Sequence, residues 1–398
     1  MKGDFSRLTF RLGRRFTSVR LQQGRVILDS DWNEQADIRE HLERVRLEDV
    51  LGSSAVPADG GFAVIRDEKG LSLSAGRIYV GGLICELGDA VPLDRVSAAG
   101  RTDLIYLDAW ERHLTAVDDP GLLEVALGGA DTTTRLQVTW RLGVVEDVGE
   151  VSVPEAASLL PSATSGVLSA ATPNGYRGNE NQLYRVEIHD GGASGSATFK
   201  WSRDNGSVVF AVQEFLSSTS VRVAVRAGAA SELAVGDSVE VSGDESELRG
   251  DAGTLACVTD VRDQGTIVVL DQDVSCHAGE ARPRIRRWDQ RSAAVPVDTE
   301  WVELEAGIEV RFSDGTYRSG DYWTLPARPA TASIEWPEDR TPDGIEHRLC
   351  PLALVTWGQA GRAKIRDCRR PFSPLTTMHA ELARLRREVD ELRKSRRA

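Results

Sequence analysis

The chain has 398 residues, of which 41% are hydrophobic and 27% are charged, and its formal net charge is −13. This length allows two or three domains, and the composition is typical of a soluble globular protein. The acidic charge disfavours binding to nucleic acid phosphates or anionic membranes, and no apolar run approaches the length of a membrane span. We therefore predict no nucleic acid partner and no membrane insertion.

The cysteines and the first residues indicate where the protein folds. The five cysteines are scattered and odd in number, which disfavours a disulfide scaffold. The opening residues carry charges throughout and lack the apolar segment of a signal peptide. We therefore expect assembly in the cytoplasm, with an extracellular location only as part of a released particle or after lysis.

The N-terminal residues predict an extended arm followed by a helix. Two short strands broken at Gly24 are expected over residues 19–28. Ser30 or Asp31 is expected to cap a helix over residues 32–50 that ends near Gly52. Such an arm either docks on a partner or covers an edge of its own domain. The residues assigned to docking are Gln22, Gln23, Gly24, Arg25, Asp29, Asp31, Trp32 and Asn33.

Alternating apolar residues predict β-structure through most of the chain. Short strands separated by glycines over residues 57–148 are typical of a sandwich or barrel, and Gly81-Gly82 is expected to close a hairpin. Residues 151–173 are rich in Ser, Ala, Pro and Thr, which predicts a long surface loop. Residues 217–273 have the strand lengths and acidic glycine turns of an inserted SH3-like module.

The middle of the chain predicts a three-stranded meander. Two alternating runs at residues 183–188 and 197–201 flank a glycine-rich loop. Asn205-Gly206 then marks a tight turn into a third strand over residues 207–212.

This same stretch carries long motifs. ENQLYRVEIHD at residues 180–190 and ATFKWSRDNGSVV at residues 197–209 resemble the signature of an uncharacterised family encoded in gene clusters of phage-tail-like contractile injection systems. Further similar segments are GDFSR, QQGRV-x-LD-x-DWNEQ, DLIYLDAWERHLTAVDDP, EVALGGADTTTR, GDYWTLPAR, DGIEHRLCPLALV and RDCRRPF. The resemblance extends to about Pro374. It implies a structural part of such a virion-like particle, at the baseplate end or as a fibre or collar around the spike.

The last residues predict a coiled-coil helix. Met378, Leu382, Leu385, Val389 and Leu392 are spaced by four, three, four and three residues, which is an a/d heptad seam. The g and following e positions carry opposite charges in two pairs, Glu381 with Arg386 and Glu388 with Arg393. The helix either lies on its own domain or joins copies of the chain. We predict a homo-oligomer, with a trimer favoured, because the g and e charges have no use on a monomer.

No complete catalytic motif, phosphate-binding loop or dinucleotide fingerprint is present, so we predict a protein that is not an enzyme and has no cofactor or bound metal. Three groups of side chains could form a site, and we interpret all three as structural. They are an acid with a histidine near one strand, a group of possible zinc ligands, and a group of possible ligands for a hard cation. Their members are Asp108, Trp110 and His113; His347, Cys350 and Cys368; and Glu187, His189 and Asp190.

Nine tryptophans offer an alternative, a carbohydrate-binding platform, although their alternating strands favour a core position. The leading hypothesis is a structural, oligomeric, baseplate-associated component that binds other baseplate or spike subunits. A target- or glycan-binding protein is the alternative, and a carbohydrate-active or peptidase enzyme is the second alternative.

The predicted fold is mainly β, a sandwich- or barrel-like protein with a short N-terminal helix and a C-terminal coiled-coil helix. The predicted parts are an arm and helix (1–52), the first part of a β domain (53–150), a linker loop (151–174), a main β domain (175–216 and 280–374), an inserted small β-barrel (217–279) and an oligomerisation helix (375–398).

Overall fold

The computed structural model describes residues 1–67, 70–93, 98–225, 232–291, 294–335, 339–359 and 362–395. The protein is mainly β, with several sheets, one closed barrel, an N-terminal helix and a C-terminal helix, which confirms the predicted fold class. No helix in these ranges combines the length and apolar character needed to cross a membrane.

The regular elements follow one another along the whole chain. The helices are α1 (Asp29–Leu51), α2 (Asp244–Arg249) and α3 (Leu375–Ser395). The strands before the barrel are β1 (Ser54–Pro57), β2 (Val64–Asp67), β3 (Gly70–Leu73), β4 (Gly76–Val80), β5 (Leu83–Leu87), β6 (Val91–Leu93), β7 (Thr102–Leu114), β8 (Arg135–Val145), β9 (Leu168–Ala171), β10 (Gln182–Ile188), β11 (Gly192–Ala193) and β12 (Thr198–Ser202). The barrel strands are β13 (Val209–Ser217), β14 (Ser220–Val223), β15 (Ser238–Ser242), β16 (Thr254–Arg262), β17 (Ile267–Leu270) and β18 (Arg284–Trp288). The remaining strands are β19 (Val295–Pro296), β20 (Val302–Glu303), β21 (Glu309–Phe312), β22 (Thr316–Tyr317), β23 (Tyr322–Arg328), β24 (Ser333–Ile334), β25 (Arg348–Trp357), β26 (Ala363–Asp367) and β27 (Pro371–Phe372).

The chain divides into two compact units, each built from separate stretches. Unit 1 comprises Met1–Glu40, Trp110–Thr139 and Ser162–His347, and unit 2 comprises His41–Ala109, Trp140–Pro161 and Arg348–Ala398. The predicted grouping of residues 348–374 with residues 175–216 is wrong, because β25 pairs with β7 over the whole run from Thr102 to Ala109.

Unit 2 contains three small sheets whose strand orders are β27-β1-β4-β5, β2-β3-β6 and β26-β25-β7-β8. Their shared core includes Phe62, Leu107 and Leu352, all fully buried. The predicted turn at Gly81-Gly82 is present, since both glycines have positive φ (54° and 76°) and β4 pairs with β5 directly across them. This pair of φ angles is the type I′ geometry that joins adjacent strands without splaying them.

Unit 1 contains the five-stranded sheet β19-β12-β10-β23-β24, the sheet β20-β21-β9, the pair β11-β22 and the barrel. The turn at Asn205-Gly206 forms as predicted, with φ values of 53° and 64°. The predicted three-stranded meander is wrong, however, because β12 pairs with β10 and β19, whereas β13 leaves that sheet and enters the barrel. An alternating sequence identifies a strand but not its neighbour.

The barrel closes in the order β13-β14-β17-β16-β15-β18 around Val221, Val239 and Ile285. Its strands extend beyond the predicted range of residues 217–279, because β13 and β18 supply the closing pair. Strand β13 pairs with β18 over Val209–Ala211 and with β14 from Val212 onward, with a register shift between Val212 and Glu214. Such bulges bend a strand, which lets it serve both neighbours in a small barrel.

Two further predictions are corrected. Residues 19–28 form no strand in the described structure, because this stretch has only a turn at Gly24, in which Arg25 N–H donates to the Gln22 carbonyl. Residues 151–173 are not an irregular loop throughout, since they contain a 3₁₀ helix (Val153–Leu159) and β9, which pairs with β21.

Helix α1 starts three residues earlier than predicted, so Ser30 and Asp31 lie inside its first turn rather than at the cap. Asp31 Oδ2 accepts a hydrogen bond from Leu28 N–H at 3.2 Å, which satisfies a backbone donor ahead of the helix. The predicted end is confirmed, since Gly52 follows Leu51 with φ of 84° and its N–H donates to the Glu48 carbonyl.

Candidate functional site

A buried cluster of charges lies in unit 1 around Glu187, on β10 of the ENQLYRVEIHD motif. The Glu187 carboxylate meets three cations: Arg185 Nε donates to it at 2.6 Å, Lys2 Nζ lies at 2.9 Å and Lys200 Nζ lies at 3.3 Å. Glu187 and Arg185 are almost fully buried. Buried charges of this kind need close partners, and here a single carboxylate serves three of them.

The cluster holds the first residues of the chain inside unit 1. Arg185 Nη1 donates to the Met1 carbonyl at 3.0 Å, and Asn205 Nδ2 donates to the carbonyls of Met1 and Gly3 at 3.1 and 2.9 Å. The Arg185 guanidinium also stacks 3.6 Å from the Tyr322 ring centroid. The opening GDFSR motif and both central motifs therefore meet at one place.

Lysine has a special position here. Lys200 Nζ donates to Glu240 at 2.5 Å and lies 4.6 Å from the centroid of the Trp288 ring, whose Nε1 donates to the same carboxylate at 3.1 Å. Only five lysines occur in the chain, and two of them, Lys2 and Lys200, belong to this cluster. Each ammonium group is a compact point charge, and Lys200 lies between a carboxylate and an aromatic ring.

The pKa values follow the geometry. Burial raises the pKa of Glu187, but Lys2, Arg185 and Lys200 outweigh it and hold that pKa well below its usual range. Burial likewise opposes ionisation of Glu240, yet Lys200 and Lys2 lower its pKa to about 2. Burial lowers the pKa of Lys2 to about 8 despite Glu187. Both carboxylates are thus ionised at neutral pH and neutralised by cations of the chain itself.

The residues considered as ligands of a hard cation, Glu187, His189 and Asp190, have other partners in the structure. Glu187 is occupied by three protein cations, and His189 Nδ1 lies 3.7 Å from Glu240 in the same buried cluster. Asp190 instead accepts a hydrogen bond from the Thr198 hydroxyl at the surface. Among the residues with assigned positions, no group of three His, Cys, Asp or Glu side chains is arranged to hold a metal ion.

The other two candidate groups are also placed. In unit 2, buried Asp108 pairs with Arg141 at 3.0 Å. In unit 1, the His113 ring packs edge-on against Phe5, and burial lowers its pKa to about 3. His347 stacks with Trp110 at 5.2 Å between ring centroids.

The cysteines of the proposed zinc set are buried in unit 2. Burial raises the pKa of Cys350 to about 11, so this side chain is a thiol at neutral pH. Burial also raises the pKa of Cys368.

A second ionic network was missed in the sequence. Arg112 at the end of β7 and Arg284 on β18 share the carboxylates of Asp244 and Glu247 on α2. Arg284 Nη1 also donates to Asp118 at 2.9 Å. The DAWERH motif thus contributes an arginine that fixes the barrel within unit 1. The sequence signal for this network was the group of acidic residues in DESELR, residues 244–249, which form α2.

The residues assigned to docking lie on an exposed arm, defined here as residues 12–28, and on the first turn of α1. Val26 is 83% exposed and Trp32 is 74% exposed, values far above those of core residues. Asp29 anchors the end of the arm, because it accepts hydrogen bonds from the Ser6 amide and hydroxyl at 2.8 and 2.6 Å. The other exposed apolar residues of the arm are Leu12, Phe16, Leu21, Ile27 and Leu28.

The arm is also strongly basic. Residues 12–28 contain four arginines and no Asp or Glu, in a chain whose net charge is −13. Arg15, Arg20 and Arg25 are exposed and form no ion pair within the described part of the chain. The arm is thus an exposed segment that is both apolar and cationic, on a chain whose net charge is negative.

A cleft of about 440 Å³ in unit 1 is lined by residues 4–7 and by Leu28 at the end of this arm. Its arginines are already paired inside the fold, since Arg7 and Arg328 contact Glu335 and Arg203 contacts Glu305. The cleft is therefore a place for packing against the arm rather than an unpaired cationic site.

Helix α3 carries the predicted seam on an exposed surface. All side chains described from residue 375 to residue 393 are exposed, so the helix does not lie on its own domain. The seam residues are Met378, Leu382, Leu385, Val389 and Leu392, and the flanking charges are Glu381, Arg386, Glu388 and Arg393. Residues 396–398 of the predicted helix lie outside the described residues.

The tryptophans are mostly in the core. Buried ones are Trp110, Trp201, Trp288, Trp323 and Trp357. Only Trp32 and Trp301 are exposed among the described tryptophans, and Arg311 covers the Trp301 ring at 4.8 Å. Trp336 lies outside the described residues. This distribution does not support an extended aromatic platform.

Comparison with known families gives one match that spans nearly the whole chain. A family model described as a family of unknown function, DUF6519, matches residues 1–153 and residues 152–379. No curated protein and no solved structure matches the chain.

Proposed function

The chain belongs to the DUF6519 family, and from that premise we propose that it is a structural component of a phage-tail-like contractile injection system. It assembles as an oligomer and associates with the baseplate, as a fibre, collar or spike-surrounding protein. The observation that carries the proposal is the concentration of exposed apolar side chains in the arm and in α3. Two adhesive segments on separate parts of one chain are typical of a subunit that must bind both its own copies and a neighbour.

The motifs add the second support. They resemble a family encoded with contractile injection particles, and the buried cluster brings several of them together around residues 1–3. A fold that fixes its N-terminal residues internally presents the following arm from a rigid base. The arm then attaches the protein to an acidic surface of a neighbouring subunit, since its exposed arginines are complementary in charge to such a surface.

The test is to sediment particles from a native lysate and look for the protein by mass spectrometry and negative-stain microscopy. The variant V26S/I27S/W32S removes apolar contacts without touching the core, because all three side chains are exposed. We expect the wild-type protein to be recovered with sheath-and-tube particles and this variant to remain soluble, with an unchanged melting temperature.

The matched control is V125S/L127S, which changes two equally exposed apolar residues elsewhere in unit 1. We expect it to be recovered with particles like the wild type. Wild-type protein found only in the soluble fraction would contradict the proposed function. Deleting residues 1–50 is not a suitable test, because Lys2, Gly3 and Ile38 belong to the buried structure.

A further inference from the structure

The exposed seam of α3 has a pattern that identifies its partner. Met378, Leu382, Leu385 and Val389 are 44%, 51%, 48% and 45% exposed, so the seam keeps about half of its apolar surface in solvent. The helix has 21 residues, which is three heptads and about 30 Å of length. A stripe this narrow, with spacing of 3.5 residues, fits another helix of the same period rather than a flat surface.

The charges beside the seam specify direction. With Leu382 and Val389 at a positions, Glu381 and Glu388 occupy g, whereas Arg386 and Arg393 occupy e. In a parallel coiled coil a g residue faces the e residue five positions later on the next helix. Each parallel contact therefore pairs Glu381 with Arg386 and Glu388 with Arg393 across the interface.

An antiparallel arrangement of the same helices would be repulsive. There, g faces g and e faces e, which brings Glu381 towards Glu388 and places Arg386 among cationic neighbours. Like charges at these positions destabilise helix association by about as much as opposite charges stabilise it. The sequence thus distinguishes the two directions through four residues that are exposed in the single chain.

We propose that α3 binds the α3 helices of further copies of this chain, parallel and in register. This inference rests on the proposed oligomeric function and adds the identity of the partner and its direction. It places the N-terminal ends of all the α3 helices at the same end of the helical bundle. Arg384 at a c position lies 3.7 Å from Glu388 within the helix, so Glu388 is shared between this contact and the neighbouring chain.

The first test uses cross-linking in the full chain, with exposed Cys276 replaced by Ser. Under copper-catalysed air oxidation, M378C is expected to give a covalent dimer, because in-register parallel helices bring equal d positions together. A380C, on the outer face, is the matched control and is expected to remain monomeric on a non-reducing gel. An equal mixture of M378C and V389C reports the opposite direction, since antiparallel helices place an a position beside a d position. A cross-link only in that mixture, or none in M378C at the highest soluble concentration, would overturn the proposal.

The second test reverses charges and measures self-association by sedimentation velocity. E381R/E388R is expected to weaken self-association about tenfold, because every g–e contact becomes Arg against Arg. Mixing it with R386E/R393E is expected to restore association. Unchanged self-association of E381R/E388R would refute the parallel direction. Recovery with sedimented particles is a separate measurement. Its failure would contradict the proposed function but would not change the result for α3.

Discussion

The charge cluster around Glu187 makes a strong prediction about stability. Replacing Glu187 by Gln keeps the shape but leaves Arg185, Lys200 and Lys2 without the carboxylate that lies 2.6, 3.3 and 2.9 Å from them. Removing one member of a buried charge pair costs roughly 3–5 kcal/mol. Lys2 is partly exposed and its pKa is about 8, so it relieves part of the cost by turning to solvent or losing its proton. We therefore expect a loss of about 3 kcal/mol in the free energy of unfolding of unit 1.

The assay is thermal and urea unfolding of the full chain at pH 7. A loss of about 3 kcal/mol corresponds to a fall in melting temperature of roughly 6–12 °C for a unit of this size. The matched control is Glu303→Gln, which breaks an ion pair with Arg177 whose two side chains are each 60% exposed. Such a surface pair contributes at most about 1 kcal/mol. Equal melting temperatures for the two variants would refute the assigned role of the buried carboxylate.

Three further outcomes are expected. Gly82→Ala should destabilise unit 2 by about 2 kcal/mol in urea unfolding, because the φ of Gly82 is +76° and the new Cβ would lie 2.8 Å from Arg44 Cα. The control is Gly88→Ala, whose new Cβ has no neighbour within 4 Å, and its effect should stay within about 0.5 kcal/mol. The pKa of His113 is lowered from 6.5 to about 3, so the unfolded state binds more protons between these values and stability falls as pH drops through that window. His113→Phe should gain about 3 kcal/mol relative to wild type between pH 7 and pH 4, and a difference independent of pH would contradict this assignment. Truncation after Pro374 should lower the mass measured by light scattering while leaving the melting temperature unchanged, since residues 375–393 are all exposed; a large thermal shift would show that α3 supports the fold.

The local chemistry of the sequence was enough to predict features that depend on neighbouring residues. The turns at Gly81-Gly82 and Asn205-Gly206 have the positive φ angles that glycine and asparagine allow. The heptad spacing predicted α3, and alternation predicted β7 and β8. These signals fail where a partner is distant. Strand β13 closes the barrel with β18, which begins 75 residues after β13 starts, and no periodicity in β13 itself specifies that choice.

The candidate site was only partly predictable for the same reason. The sequence assigned one segment to docking and another to assembly. Exposed apolar side chains lie in both, at Trp32 and along the α3 seam. The tethering of Met1 by Arg185 was missed, because nothing in an isolated strand indicates which distant backbone it will bind. The scarcity of lysine was a usable signal, since Lys2 and Lys200 are two of only five and meet at the same carboxylate.

The tethered first residues also govern the order of folding during synthesis. The Met1 amino group donates to the Tyr322 hydroxyl, and in unit 2 β1 pairs with β27 from Val56 to Pro371. At roughly 5–20 residues per second, the earliest residues leave the ribosome about 15–65 s before Tyr322 is made. Neither unit can close as it emerges. Strand β1 can pair with β4 early, but its other edge stays open until β27 has been made. Contacts this far apart in sequence also slow folding, so the nascent chain depends on protection of its strand edges until translation is nearly complete.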